Sequence, residues 1–477
     1  MKRNIKCLFI FSVAVSFFLS CATAKFDVAS FEKAFTDGDY ELCVKMLKSK
    51  KYEKDCIPLK NMDIAIFSHY AKNYVASQEY FSECERLMEE GDLRSVAQFE
   101  SFYLNILNSF NYYNQGKLED AVVEIKKADY EKVNQGRQSS NYLWFIVDDS
   151  NDVALIRGFD EDKKDSEEYE ATCSKFGISP AQANQGIPRK PTVNDLYRSS
   201  PTAYYLGSLF RDANGDAEGA RLDRDYLKVL NPKIAFAKDN ENAILNLLSF
   251  SGSIASKEEK VYYFPPETNG VANYLPDVVV YDDDGVPMTI PGIRYKFAYV
   301  QAGENNTVVD RIEAIATNVE TGNETKAQFS FLEDFGEELK KNVALKARKE
   351  YQSNKAKSII GKSALAITLT ISVYAARKTV NNSDNIFTKT IANIALSAAE
   401  LAFRVGLEKF DDSIKADIRQ ARYLPACSYA TNLALPEGCY NVKVQYMNGN
   451  LLVNEDIFEN VNIKKSKLNL LESVCLD

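Results

Sequence analysis

The stretch FYLNILNSFNYYNQGKLEDAVVEIKKADYEKV does most to constrain the fold. Leu104, Leu107 and Tyr112 mark one amphipathic helix, Gln115-Gly116-Lys117 turns the chain, and Ala121, Ile125 and Ala128 face back from the next. Neither helix can bury its apolar stripe alone, so each requires a neighbour. DVASFEKAFTDGDYELCVKMLKS repeats the arrangement around Asp37-Gly38-Asp39, and YYLGSLFRDANGDAEGARLDRDYLKVL repeats it around Asn214-Gly215-Asp216. MDIAIFSHYAKNYVASQEYFSECERLMEE lies between the first two, with apolar and aromatic residues recurring at three and four. A helix, a Gly-containing turn and a second helix with Ala at a close-packing position form the tetratricopeptide (TPR) pattern. The units are irregular and widely spaced, so the expectation is TPR-like pairs.

The texture changes near Phe250. KVYYFPP, DVVVYDDDGVPMTI, YKFAYVQA and RIEAIATNV are short β-branched or aromatic runs separated by turn residues, and they predict strands. From about Leu332 to Phe410 the pattern is helical again. Two Ala-rich apolar segments, SIIGKSALAITLTISVYAA and IFTKTIANIALSAAELAFRVGL, suggest a packed hairpin. Lys362, Lys389, Glu400 and Arg404 interrupt them before they reach the length of a spanning helix. The expectation is a buried hairpin with Ile367 and Ile394 in the core; the alternative is an element inserted in a bilayer or joining copies of the chain. After Leu433 strands return, with Asn448-Gly449-Asn450 as a hairpin turn. The fold class is therefore α+β. The segments run as TPR-like pairs over 21–132, a polar connection over 133–200, a further pair over 201–249, a β-rich segment over 250–331, the hairpin over 332–415 and a C-terminal β module over 416–477.

The first residues indicate where such a chain works. Lys2, Arg3 and Lys6 precede an uncharged run of about 14 residues from Cys7 to Ser20, shorter than the roughly 20 needed to span a bilayer. Small residues then surround Cys21. This is the layout of a secretory signal peptide over 1–20, and its Leu-Ser-Cys end resembles a bacterial lipobox. Phe18 stands where such boxes usually hold Leu; ordinary cleavage after Ala22 or Ala24 is the alternative. Cys21 is the expected lipidation site, and each buried methylene of its acyl chains, palmitate among them, contributes about 0.8 kcal/mol to anchoring. The net charge of −9 becomes about −12 once the three leader cations are removed, which leaves no electrostatic footprint for nucleic acid.

Catalytic and metal chemistry find little support. His69 is the single histidine, so any His-based nucleophile system must use it; it is expected to be structural. The cysteines show no CxxC and no Cys/His cluster. Most are expected as buried free thiols, with Cys427 and Cys439, on either side of an expected hairpin, the first pair to test as a disulfide. Asp212, Asn214, Asp216 and Asp223 imitate a calcium loop, but Ala217 stands where Gly is required and Asp223 where Glu is. Asp282-Asp283-Asp284-Gly285 is expected as a β-turn. Gly361-Lys362-Ser363 imitates the end of a phosphate loop without its first glycine, Ala356 standing there. No pair of carboxylates stands out by spacing. Neither a cofactor nor a metal is implied.

SFNYYNQGKLEDAVVEIKKAD, YYLGSLFRDANGDAEGA, GSIASKEE and ADIRQARYLPACSYATNLALPEGCYNVKV together resemble the landmarks of an uncharacterised family of bacterial envelope lipoproteins with TPR-like N-terminal helices. The matching positions include Asp417, Arg419, Leu424, Pro425, Leu435, Pro436, Gly438 and Tyr440, whereas Gln420 and Ala421 replace an expected aromatic. The resemblance implies an Ala-Asp-x-Arg element before a Leu-Pro, and a Leu-Pro-x-Gly-x-Tyr turn opening a hairpin. None of these positions is catalytic in the family. Its genes often neighbour those of curli-secretion-type lipoproteins, which suggests cell-envelope assembly. An ion pair of Asp417 with Arg419 is expected at the approach to the C-terminal strands. The expected function is non-enzymatic: a lipid-anchored protein of the bacterial outer membrane that binds an unknown envelope protein through its helices. An envelope glycan hydrolase using carboxylates is the rival from another class.

Overall fold

Three of the expected turns are built on glycines of positive φ: Gly38 at 71°, Gly116 at 74° and Gly215 at 83°. This left-handed conformation costs other residues roughly 1–2 kcal/mol and glycine almost nothing. The computed structural model describes residues 26–52, 56–90, 94–128, 200–237 and 241–265, most of 267–292, then 293–381 and 405–476 apart from 408, with isolated positions elsewhere. Cys21, most of the 133–200 connection, the Asp282–Asp284 run and Ile394 lie outside them.

The glycine turns join α1 (Val28–Thr36) to α2 (Tyr40–Ser49), α5 (Arg94–Asn114) to α6 (118–128), and α7 (Pro201–Ala213) to α8 (Ala217–Leu230). In each, the glycine amide reaches the carbonyl three residues back and the following amide the carbonyl five back, which satisfies orphan carbonyls at the helix end. A fourth turn with the same bonds joins α3 (Ile57–Tyr70) to α4 (Tyr74–Glu90), and there Lys72 holds the left-handed position at φ 60°. Without a glycine, that break left no mark in the apolar pattern of 62–90. Asp39, Asn73 and Asp216 then cap the second helices, accepting the amides of Leu42, Ala76 and Gly219 at 3.0, 3.3 and 3.0 Å. Lys72→Gly is expected to raise stability by about 1 kcal/mol, and Gly116→Val to lower it by about 1–3 kcal/mol. Denaturant midpoints measure both; unchanged values would count against the turn geometry.

The described strands make two four-stranded sheets and two ribbons. β1 (Ala243–Ser253) begins seven residues before the texture change at Phe250. It is flanked by β12 (Asn469–Cys475), parallel to it, and β9 (Pro425–Leu435), antiparallel, with β8 (Ser330–Asp334) beyond β9. The second sheet orders β11 (Leu451–Ile463), β10 (Gly438–Asn448), β6 (Arg311–Asn318) and β7 (Glu324–Gln328). The C-terminal strands therefore do not form a sheet of their own: β9 and β12 enclose β1, while β10 pairs with β6. Along β1, Ala243, Leu245 and Leu247 pack into the core between the sheets, whereas Leu248 and Phe250 pack with the helices. Burial on both faces explains why the strand reads as a nearly continuous apolar run. Tyr446 of β10 is buried between the sheets, its hydroxyl hydrogen-bonded to Ser249 at 2.9 Å and Ser473 at 2.5 Å.

Leu435-Pro436-Glu437-Gly438 is the corner by which the chain leaves one sheet for the other. The Tyr440 hydroxyl donates to Pro436 O at 3.0 Å and pins that corner. The expected hairpin follows it, with β10 and β11 pairing up to Asn448 opposite Leu451. The corner also overturns the expected disulfide. Cys427 sits opposite Ser251 and Asp334 in one sheet, Cys439 opposite Asn462 in the other, and both thiols are free. Leu435 stands eight positions beyond Cys427 along β9, about 25 Å at strand rise, whereas a disulfide needs Cα atoms within roughly 7 Å.

The first arm of the expected hairpin belongs to one long helix, α9 (Phe335–Asn381). It packs along β5 (Tyr295–Ala302), which pairs with β2 (Lys257–Phe264). Leu339, Val343, Ala347, Tyr351 and Ile359 enter the main core. β5 begins at Tyr295, whose hydroxyl meets Ser363 at 3.0 Å. Over its C-terminal half the helix keeps cover on one face only: Ala366 stays in the core, whereas Ile360, Ile367 and Ile371 are 49, 47 and 51% exposed. Ile367 is thus not a core residue, and truncating it leaves no cavity.

Candidate functional site

α3 is buried on every side, from Asn61 through Tyr70. Its polar residues must therefore find partners inside the protein, and two of them reach the C-terminal region. Asp63 meets the irregular strip 416–422, which carries the Ala-Asp-x-Arg landmark. His69 meets β12.

The strip is held by carboxylates in place of a β partner. The amide of Ala416 donates to Glu259 Oε1 at 2.8 Å, that of Asp417 to Glu350, that of Ala421 to Glu100 Oε1 at 3.4 Å and that of Arg422 to Asp63 Oδ1 at 3.0 Å. These four acids come from β2, α9, α5 and α3. Glu350 also accepts the Val300 amide of β5 at 2.7 Å, so one side chain ties the strip to the sheet ribbon. In the other direction, the Lys257 amide donates to Gln420 Oε1 at 2.8 Å and Gln420 Nε2 to Ala255 O at 3.1 Å. Asp417 and Arg419 form the expected ion pair, with nitrogen–oxygen distances of 2.8 and 2.7 Å. Gln420 and Ala421, where the resemblance broke down, thus have physical roles: one joins the strip to β2, and the other is buried beside Glu100.

Burial strains the charges of this cluster. It pushes the Asp63 carboxyl up to about 7, against the amide and guanidinium of Arg422. Lys346 is lowered to about 7 by burial and then by the neighbouring Lys257 ammonium. Glu350 is raised by burial, while Asp417 stays low because the hydrogen bonds and charge of Arg419 outweigh its burial. Lys257 Nζ donates to Arg419 O at 3.0 Å and lies 4.0 Å from Glu100 Oε1. Lys346 Nζ and Glu100 Oε2 are shut off from solvent without a hydrogen-bond partner among the described residues. A cavity of about 150 Å³ lies against Tyr205, Ser330, Thr431 and Asn432, none of which belongs to the cluster.

His69 is equally enclosed. Nδ1 contacts Asn111 Oδ1 at 2.8 Å and Nε2 contacts Glu472 Oε2 at 2.7 Å. Asn111 is oriented by its own amide nitrogen, which donates to Ser77 Oγ at 2.9 Å and Asn108 Oδ1 at 3.3 Å. Both ring nitrogens therefore face acceptors, the arrangement of a protonated imidazolium. Burial alone lowers the His69 pKa, but the Glu472 charge and the two hydrogen bonds outweigh it, and the net shift is upward.

The remaining motifs are placed as structural parts. Asp212 bonds Arg224 at 2.6 Å, Asp216 caps α8, and Asp223 lies 3.2 Å from Arg211. Gly361 sits against the Phe410 ring, which leaves no room for a Cβ there; Lys362 pairs with Asp411 at 2.5 Å, and Ser363 meets Tyr295. Asp63, Glu100, Lys257, Lys346 and Glu350 were not singled out from the sequence. The one available signal was an acid at position 63 amid Met62, Ile64, Ala65 and Ile66. Comparison with known proteins finds no matching family model, no matching curated protein and no matching solved structure.

Proposed function

We propose that this chain is a non-enzymatic, lipid-anchored component of the bacterial cell envelope that binds a protein partner through its TPR-like helical pairs. One observation carries partner binding: Leu222, Tyr226 and Val229 leave an exposed apolar stripe along α8. Spacings of four and three residues put them on one helix face, and an apolar helix face is a common docking element. The leader and Cys21 support the anchor. The resemblance to a family of envelope lipoproteins, whose genes often neighbour those of curli-secretion-type lipoproteins, favours a partner in envelope assembly. Two substitutions test the parts separately. Cys21→Ser should release the protein from membranes or stop its processing, and mass spectrometry of the native protein should find an acylated peptide beginning at Cys21. Tyr226→Glu should leave the protein on the membrane and remove its specific neighbours in proximity labelling. An unmodified N-terminus at Thr23 or Lys25 would end the anchor reading, and an unchanged neighbour set the partner reading.

The exposed isoleucines of α9 favour a second reading, in which this helix meets lipid or another copy of the chain. By length and composition Phe335–Ala375 is long and apolar enough to cross a membrane. Beside it, β4 (Pro287–Ile290) contacts α9 and pairs with β3 (Val278–Tyr281), where Val278, Val279 and Tyr281 are exposed. A detergent-dependent or oligomeric species in gel filtration with light scattering supports this reading; a detergent-free monomer removes it.

A further inference from the structure

The strip 416–422 is an unusual seam. Its amides are received by side-chain carboxylates from four different elements, and the cluster around it leaves an amine and a carboxylate oxygen unpartnered. A β partner would hold such a segment with acceptors that never titrate. Carboxylates and an adjacent ammonium do titrate, so here the grip depends on protons.

We propose that the seam between the N-terminal helices and the 416–422 strip is a proton-operated clamp, with Asp63 and Lys346 as its titrating groups. The inference does not depend on the anchor or on the partner. Both groups are surrounded by charge from every side. Asp63 faces Arg422 from the strip, Lys50 from the end of α2 and Glu100 from α5. It also faces the phenols of Tyr52 and Tyr423 and the thiol of Cys84 on α4. Lys346 faces Lys257 from β2, Glu100 from α5, Asp417 from the strip and Glu350 from its own helix. When the seam opens, water reaches both groups and each returns toward its ordinary value.

The two groups act in opposite senses on either side of neutrality. Between the ordinary carboxylate value of 3.8 and about 7, the closed seam keeps a proton on Asp63 that the open form releases. Closure therefore strengthens as pH falls through that window. Between about 7 and the ordinary lysine value of 10.5, the open form keeps a proton on Lys346 that the closed seam has lost. There closure strengthens as pH rises. The clamp is weakest near neutral pH, where both groups are partly charged and their burial is least compensated.

Amide hydrogen exchange on the full-length mature protein tests this. The protection of the Ala421 and Arg422 amides is measured from pH 5 to pH 9, corrected for intrinsic exchange. The reference is Val444, which is buried between the sheets and reports global unfolding. The ratio to Val444 should be lowest near pH 7 and about tenfold or more higher at either end, the size of effect that shifts of this kind produce. Asp63→Asn, which keeps an oxygen acceptor for the Arg422 amide, should flatten the acid side. Lys346→Met should flatten the alkaline side. A wild-type ratio that does not change with pH, or a profile that neither substitution alters, overturns the proposal.

Discussion

Replacing Glu472 by Ala is expected to lower the unfolding free energy by about 3–5 kcal/mol at pH 6, because it leaves the His69 imidazolium buried without its counter-charge. His69 and Glu472 stand 403 residues apart and join α3 to β12 at 2.7 Å. The pH dependence distinguishes a charge effect from lost packing. The folded pKa of His69 is raised above its ordinary 6.5. The pair therefore contributes fully below 6.5 and is lost as pH rises through the folded value. In urea unfolding, the wild type should lose this contribution on going to pH 9, and the Glu472→Ala penalty should shrink there. Glu472→Gln retains an acceptor for Nε2 and should cost less than Ala at pH 6. An equal loss from Glu472→Ala at pH 6 and pH 9 would show that His69 is not charged in the folded protein.

Phe67→Ala should cost about as much, roughly 3–5 kcal/mol, by a different route. Phe67 is fully buried, and its ring meets those of Phe31 at 5.9 Å, Phe35 at 6.0 Å, Tyr40 at 5.9 Å and Tyr423 at 4.6 Å. These rings come from α1, from α2 and from the chain just beyond the 416–422 strip, so one side chain fills the space among three segments. Truncation leaves a cavity that rigid helices cannot close. Phe67→Leu keeps most of the volume and should cost less than about 1.5 kcal/mol. Denaturant unfolding of both variants measures the difference. Limited proteolysis should reach the α1–α2 region of the Ala variant first. A loss below 1 kcal/mol for Ala would mean that the cluster collapses around the missing ring.

Much of the local structure was legible in the residues. The turns at Gly38, Gly116 and Gly215, the strand runs from Lys260 onward, the hairpin at Gly449 and the Asp417–Arg419 pair all depend on residues a few positions apart. For these, periodicity and turn chemistry are sufficient, because the energies involved are local. The turn at Lys72 escaped because it uses a residue that pays for the left-handed conformation through its surroundings. The pairing of β9 and β12 around β1, by contrast, left no local trace. Neither did the corner that separates Cys427 from Cys439.

The candidate site divides in the same way. The sequence by itself determined that Asp417 and Arg419 are neighbours able to pair, and that Asp63 is an acid set in an apolar helix. Only the tertiary structure decided that Asp63, Glu100, Glu259 and Glu350 converge on one strip, that Lys346 lies among them, and that His69 finds Glu472. Periodicity reports how strongly a face seeks burial, but not which face it meets. The charge of a buried group depends on what it meets, so its chemistry is decided by the same long-range packing. The exposed stretch of α9 makes the same point in reverse. Ile367 and Ile371 carry the composition of a core helix, yet they stay exposed because they lie beyond Ser363, where β5, the strand that covers the first part of the helix, begins at Tyr295.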